Sequence, residues 1–478
     1  FNMNQLILID THAHIYSKEF QHDVDAVIKR AGEQGVKYII CPGVDLETSE
    51  RAIELAEKYD AVYAAVGFHP HDASKAKQDA LAKIEELSKN PKVVAIGEIG
   101  LDYHYNFSPP DVQKDVFSVQ ITIAQQRNLP VIIHSREDNN EVVKILQNKI
   151  NENKKWRSAY THPLSRYPAP KGVFHCFSGD SKRAWDVINM GFYISLTGPV
   201  TYPEKPDKMN LMIEVAKNVS AEHILLETDS PYLPPVPFRG KRNEPAYVKY
   251  IAEKIAEYQG LLIDDIARAS TFGAHRLFGV GNYPSPTIAY KLRNSLYLNI
   301  TIRCDADCVF CDRRGEAIIK GHNLKITEEP SFNEVIKAIG DPVRYDEIVF
   351  CGYGEPTIRL DLVKKVARWV KNNGGKVRLN TDGHGNIINH RNIVPELVGL
   401  IDAVSISLNT TDPKKYGELM RIDGERFFPA MVDFAKECVK YKFDVTMTIV
   451  NIEGIDYARA KEFVEKEIGA KFKNRPFF

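Results

Sequence analysis

The chain has 478 residues, with 63 Lys and Arg against 63 Asp and Glu, 44% hydrophobic and 26% charged residues, a globular composition that excludes an extended disordered class. That length exceeds one ordinary core, so two domains are expected. No apolar run approaches the roughly 20 residues that cross a bilayer, and the N-terminus lacks a basic start followed by an apolar core, so no membrane partner and a cytoplasmic location are expected.

From the N-terminus, short apolar runs alternate with helical stretches: LILI, KYIIC, VYAAV, KVVAI, PVII, GVF, FYISL and HILL. Eight strand candidates separated by helices predict parallel pairing, and at this length a closed (β/α)8 TIM barrel over residues 1–279. FGVGNYPSPTIAYKLRNS then places two glycines and two prolines after an amphipathic helix, which predicts a linker over 280–295. Downstream, LYLNITI, EIVFC, KVRLN, AVSISL, DVTMTIV and KFKN predict a second α/β domain over 296–478. Seven cysteines suit a reducing compartment, and Cys41, Cys176, Cys351 and Cys438 are expected to be small buried apolar residues.

Chemistry in the first domain gathers where strands end, which is where a (β/α)8 enzyme builds its active site. LILID runs into Thr11-His12-Ala13-His14, and two histidines two residues apart on an extended segment face the same side and can grip one ion. Glu98, His134, His175 and Asp229 follow the later runs VVAIG, PVII, GVF and LLET. Four histidines and two carboxylates suffice for two divalent ions, with Mg, Mn and Zn all compatible.

The segments DTHAHI, GFHPHD, GEIGLDY, PVIIHSR, GVFHCFSG, ETDSPYL and RGKRNEPAYV together resemble the TatD family of metal-dependent hydrolases and deoxyribonucleases, from about Leu6 to Gly279. The resemblance implies that His12, His14 and Asp229 hold one metal, that His134 and His175 hold a second, and that Glu98 bridges them. It also implies that His69 contacts the substrate phosphate. Two ions about 3.5–4 Å apart stabilise both the attacking and the leaving oxygen of a phosphodiester, with Asp229 the candidate general base. His71, His104 and His162 read as ordinary loop residues.

Charge limits how nucleic acid would be held. Basic and acidic residues number 33 and 36 up to Val280, and 30 and 27 beyond it, so any contact with DNA must be local. KKWRSAYTHPLSRYPAPK, residues 154–171, has five basic residues, no acidic ones, and Trp156, Tyr160 and Tyr167 interleaved. Such a segment is a candidate single-strand contact, the alternative being a solvated surface loop.

In the second domain CDADCVFC supplies Cys304, Cys308 and Cys311. Three thiolates hold a [4Fe-4S] cluster incompletely, leaving one iron open to a cofactor or substrate. Structural zinc would need a fourth ligand, and the following stretch offers only His322. The spacing, with Phe310 before the last cysteine, resembles the radical S-adenosylmethionine (radical SAM) enzymes. Gly352-Tyr353-Gly354-Glu355 is similar to that family's Gly-Gly-Glu motif, with Tyr353 replacing the second glycine. Thr381, Ser405, Ser407 and Asn409 lie where the family commonly contacts the ribose and carboxylate of SAM. The resemblance implies an open (β/α)6-like partial barrel, a cluster that reduces SAM to a 5′-deoxyadenosyl radical, an electron donor as partner and an unidentified substrate. A terminal helix of that barrel is expected beyond Pro476-Phe477-Phe478.

The whole chain therefore reads as a bifunctional enzyme, a two-metal hydrolase of DNA or another phosphodiester, with exonuclease action expected, fused to a radical SAM enzyme. The alternative is a small-molecule or ester hydrolase whose C-terminal cluster is structural, regulatory or partner-docking.

Overall fold

The computed structural model describes residues 6–105, 107–138, 140–165, 167–204, 209–450 and 454–475, so the expected helix past Pro476 and the basic residue Arg166 lie outside the described residues. The chain divides into two compact units, the first formed by Phe1–His162 and Tyr167–Pro284, the second by Pro163–Arg166 and Ser285–Phe478.

In the first unit all eight predicted runs are strands: β1 (Leu8–Asp10), β2 (Val36–Pro42), β3 (Val62–Val66), β4 (Val93–Asp102), β5 (Val131–Arg136), β6 (Gly172–Phe174), β7 (Phe192–Leu196) and β8 (Ile224–Leu226). They pair in parallel in sequence order. The runs are apolar throughout rather than alternating because helices cover the outside and side chains fill the inside. Each strand contributes one residue to a common layer running from Ile9 to Leu225, except β4, which contributes Val94 and Ala95, and Ala274, Leu277 and Phe278 of the helix Ile263–Phe278 pack against it. The ring closes through Thr11, whose amide donates to the Leu226 carbonyl at 3.0 Å, and through Thr228, whose amide and hydroxyl donate to Asp10 at 2.9 and 2.6 Å. Burial pushes the Asp10 carboxyl up to about 8 despite those bonds.

The segment 154–171, a candidate single-strand contact or else a solvated surface loop, exposes Lys154, Lys155 and Tyr160 but is anchored by Trp156 and Arg157 between them. Trp156 is fully buried and its indole N–H donates to the Leu129 carbonyl at 3.0 Å. The buried Arg157 guanidinium donates to the carbonyls of Pro170 and Leu277. These partners lie where chain enters β5 and β6 and at the end of the helix Ile263–Phe278, so the segment closes the barrel end opposite the strand C-termini. Tyr160 alone is well exposed among its three aromatics, and it stacks on Arg157 at 4.0 Å.

The second unit contains β9 (Ala289–Leu292), β10 (Ser295–Leu298), a small hairpin of β11 (Ile318–Ile319) and β12 (His322–Asn323), then β13 (Ile348–Phe350), β14 (Val377–Thr381), β15 (Ala403–Ser407), β16 (Asp444–Val450) and β17 (Lys471–Arg475). Its sheet order is β17-β16-β15-β14-β13-β10-β9, parallel except for β9, which runs antiparallel to β10. The six parallel strands are those expected. The seventh corrects the linker: part of the segment assigned to 280–295 pairs as an edge strand, because Tyr290 is buried and stacks on Tyr297 of β10. Cys41 and Cys438 are buried as expected, whereas Cys176 and Cys351 are only partly so. Among the described residues no helix is long and apolar enough to cross a membrane.

Candidate functional site

At the C-terminal ends of β1, β4, β5, β6 and β8 the six predicted donors converge. His12 Nε2 and His14 Nε2 are 3.2 Å apart, and both face Glu98 Oε2, at 3.4 and 3.7 Å, and Asp229 Oδ1, at 3.8 and 3.4 Å. Around the other Glu98 oxygen stand His134 Nδ1 at 2.9 Å and His175 Nε2 at 3.4 Å. Three of the histidines are oriented from outside. His14 Nδ1 reaches the Pro42 carbonyl at 3.1 Å and the Tyr16 hydroxyl at 2.9 Å, His175 Nδ1 reaches Glu227 Oε1 at 3.1 Å, and His134 Nε2 reaches Asp102 Oδ2 at 2.9 Å. A carbonyl or carboxylate accepts only, so each outer nitrogen carries a proton, and each inner nitrogen, which otherwise donates its proton to Glu98 or Asp229, is left to offer a lone pair once a cation displaces that proton. Imidazole nitrogens and carboxylate oxygens gathered within reach of one another in a buried site are the donor set of a divalent cation, and the residues fit one.

The backbone is shaped for this convergence. Asp229 has a left-handed φ of 57°, a conformation uncommon for a residue with a side chain, and its amide donates to the His12 carbonyl at 2.9 Å. Gly100 lies on β4 at φ 148°, where a Cβ would fall 1.8 Å from the His134 carbonyl oxygen, so only glycine lets β4 and β5 approach beside Glu98 and His134.

Charge within the cluster is strongly coupled. Burial pushes the Glu98 carboxyl up, but His175 and His69, with hydrogen bonds from His12 and His134, hold it well below the usual range. Asp229 is likewise held down, burial being outweighed by the His14 hydrogen bond and the nearby imidazoles. His69 differs from the others: its Nδ1 accepts the His71 amide at 3.1 Å, so the proton sits on Nε2, 3.4 Å from Glu98 Oε1. It is a hydrogen-bond donor aimed into the site, while burial pulls its pKa to about 4.

Several residues here escape a sequence reading. Asp102 accepts from both His71, at 3.0 Å, and His134, and so draws His71 into the site. Glu227 accepts the Cys176 amide at 2.6 Å besides His175. Both are acidic residues inside otherwise apolar runs, which is the one signal that marks them. His104 pairs with Glu137 at 2.8 Å, outside the site.

In the second unit a cavity of ≈ 190 Å³ is lined by all three cluster cysteines and by Phe310, Gly352, Tyr353, Gly354, Glu355, Thr381, Ser405, Ser407 and Asn409. Burial pushes the Cys304 and Cys308 thiols up. Asn380 Oδ1 and Asn409 Oδ1 are buried there without hydrogen-bond partners, so the cavity fits a ligand with donor groups beside three thiols. Gly354 must lack a side chain, since a Cβ would stand 2.3 Å from the Thr301 carbonyl oxygen. Tyr353 is tolerated because its hydroxyl turns to the Ile318 carbonyl at 3.0 Å. Glu355 is not left open toward an amine: its carboxylate accepts from the Thr357 amide and hydroxyl, from Thr381 and from the Asp382 amide, at 2.6–3.0 Å. It ties the end of β13 to the end of β14.

Comparison with known proteins gives the same division. Residues 9–279 match the model of the TatD related DNase family, and residues 298–466 match the radical SAM superfamily. The metal-dependent hydrolase YabD of Bacillus subtilis, itself uncharacterized, is 44% identical over 276 residues, which is 57% of this chain and 100% of the relative. The 3′-5′ ssDNA/RNA exonuclease TatD of Citrobacter rodentium is 32% identical over 278 residues, 57% of this chain and 98% of that protein. The crystal structure of YJJV, a TatD homologue from Escherichia coli, matches with a TM-score of 0.51 at 30% identity, over 57% of this chain and 98% of its own. The chain belongs to the TatD related DNase family, carries a radical SAM superfamily region C-terminal to that barrel in sequence, and is an enzyme on both counts.

Proposed function

We propose that the first unit hydrolyses phosphodiesters of nucleic acid, as an exonuclease on single strands. The observation that carries this is the convergence of six metal-type donors at one barrel mouth in a chain 32% identical to a single-strand exonuclease. TatD membership implies divalent ions; His12, His14 and Asp229 would hold one, His134 and His175 the other, with Glu98 between them. Mg, Mn and Zn all suit this mixed set. Bound there, such ions make water acidic and stabilise charge on the oxygens of a phosphodiester. Asp229, kept ionised by His14, is poised to accept a proton, and the His69 Nε2–H to donate to a phosphate oxygen. Glu227, Asp102 and the Pro42 carbonyl fix the imidazole tautomers. The test is cleavage of single-stranded DNA and of a model phosphodiester by Asp229→Asn and Glu98→Ala, with metal content measured in parallel. Metal-dependent cleavage is expected to vanish in both while the circular dichroism spectrum is unchanged; retained cleavage overturns the assignment.

We propose for the second unit that Cys304, Cys308 and Cys311 hold a [4Fe-4S] cluster and that SAM lies in the adjoining cavity against Phe310, Gly352, Tyr353, Gly354, Thr381, Ser405, Ser407 and Asn409. A cluster so held supplies the electron that cleaves SAM to a carbon radical. Glu355 keeps the floor of that pocket in shape through Thr381 and Asp382. Anaerobic reconstitution should give four irons per chain, an EPR signal on reduction and 5′-deoxyadenosine from SAM. Cys308→Ala should abolish all three, and their persistence would dispose of the reading.

A further inference from the structure

We propose that the radical SAM cavity takes a substrate bearing an oxyanion, a carboxylate or phosphate, held by Arg475. The inference rests on the proposed cofactor reading only for what happens at the other end of the ligand. Arg475 ends β17 and lines the cavity with Cys308, Cys351, Ser405, Ser407 and Asn409. Its guanidinium makes one hydrogen bond, to the Ser407 hydroxyl at 3.3 Å, its Nε is buried without a partner, and among the described residues no carboxylate pairs with it. A half-buried arginine whose Nε is fully buried and unpartnered is costly unless a ligand supplies the missing acceptors.

The cavity's own acids do not serve. Glu355 is saturated by Thr357, Thr381 and Asp382, and Asp382 accepts the His384 amide. Both lie at β13 and β14, while Arg475 ends the strand at the far edge of the sheet. Positive charge accumulates on the Arg475 side. Lys473, two residues back, shares its face of β17. Burial first, then Arg293, Arg378 and Arg475, pull the Lys473 ammonium below its usual value, with Glu347 the opposing carboxylate. Glu347 is already paired with Arg378 at 2.9 Å. A planar guanidinium with free edges recognises an oxyanion through paired N–H donors, and a neutral substrate would leave it unanswered.

The experiment soaks crystals of the full chain in tungstate and locates it by anomalous scattering, with Arg475→Gln and Arg475→Lys in parallel. A peak within hydrogen-bond reach of the guanidinium is expected in the parent, a weaker one in Arg475→Lys, which keeps the charge but loses the paired N–H donors, and none in Arg475→Gln. Phosphate and acetate are then added as competitors: displacement by phosphate assigns a phosphate, displacement by acetate a carboxylate, and displacement by neither marks an adventitious ion only and overturns the proposal. SAM affinity is measured on the same proteins. It should be unchanged in Arg475→Gln; a fall of roughly tenfold or more would make the bound anion SAM's own carboxylate and overturn the substrate assignment. No peak in the parent, or one that survives in Arg475→Gln, also overturns it. Iron content and EPR read on these samples test the cofactor reading separately, since the tungstate peak does not depend on the cluster.

Discussion

His12 Nε2 and His14 Nε2 stand 3.2 Å apart over the same two carboxylates, Glu98 and Asp229. In a buried site that proximity is favourable when a cation lies between the groups, so ion binding and stability are linked. An ion at a hundred times its dissociation constant adds about 2.7 kcal/mol to the folded state. Calorimetry should show a melting transition that falls on chelation and returns with added Mn or Zn, and a His12→Ala/His14→Ala chain whose transition ignores both.

Glu227 fixes His175 through Nδ1 and has no other imidazole to orient. Glu227→Gln is expected to weaken divalent-ion affinity roughly 10- to 100-fold with the fold intact, as loss of an outer-shell partner does elsewhere. A competitive metal titration reads this directly; an affinity equal to the parent's would remove Glu227 from the site.

Gly100→Ala should force β4 and β5 apart at the point where Glu98 and His134 stand. We expect a loss of about 1–3 kcal/mol together with loss of cleavage. Gly32, in the helix Val24–Glu33 with open space around it, is the control, and Gly32→Ala should stabilise by about 0.5–1 kcal/mol. Urea midpoints for the two variants should move in opposite directions.

Trp156→Ala empties a buried site and should cost about 3–5 kcal/mol. The affinity for single-stranded DNA and its salt dependence should not change, because the indole faces Leu129 inside the barrel. A variant that is stable but binds DNA poorly would restore the surface-contact reading.

Glu396 is held down to about 2, first by its hydrogen bond from Arg391 and then by that from Lys364. A carboxyl whose folded pKa lies below its unfolded value of 4.5 stabilises the fold above that value, and the contribution is lost as pH falls from there through about 2. Stability of the parent relative to Glu396→Gln should therefore be constant above pH about 5.5 and shrink on acidification. Urea curves across that window check the slope.

The eight strands of the barrel and five of the six parallel strands of the second unit were legible because each is a short apolar run between helices, the sixth, Lys471–Arg475, having Phe472 as its one apolar residue, and the metal-type donors because they follow the barrel runs directly. What escaped depends on partners far along the chain. Trp156 and Arg157 read as a basic aromatic surface until Leu129 and Leu277 are brought beside them. Tyr290 read as linker because an edge strand buries one face and carries little apolar signal. Glu355 matched a motif position, but Thr357 two residues on turns its carboxylate inward.

The bonds from Thr228 to Asp10 join residues 218 apart in sequence, and the donors stand on the two strands so joined and on three others between them. A chain emerging from the ribosome offers His12 and His14 early and Asp229 only after eight strands are made. On the reading proposed above, the complete donor set thus exists only once the chain has been made through β8. An ion held there by His12, His14 and Asp229 would rivet the first strand to the last.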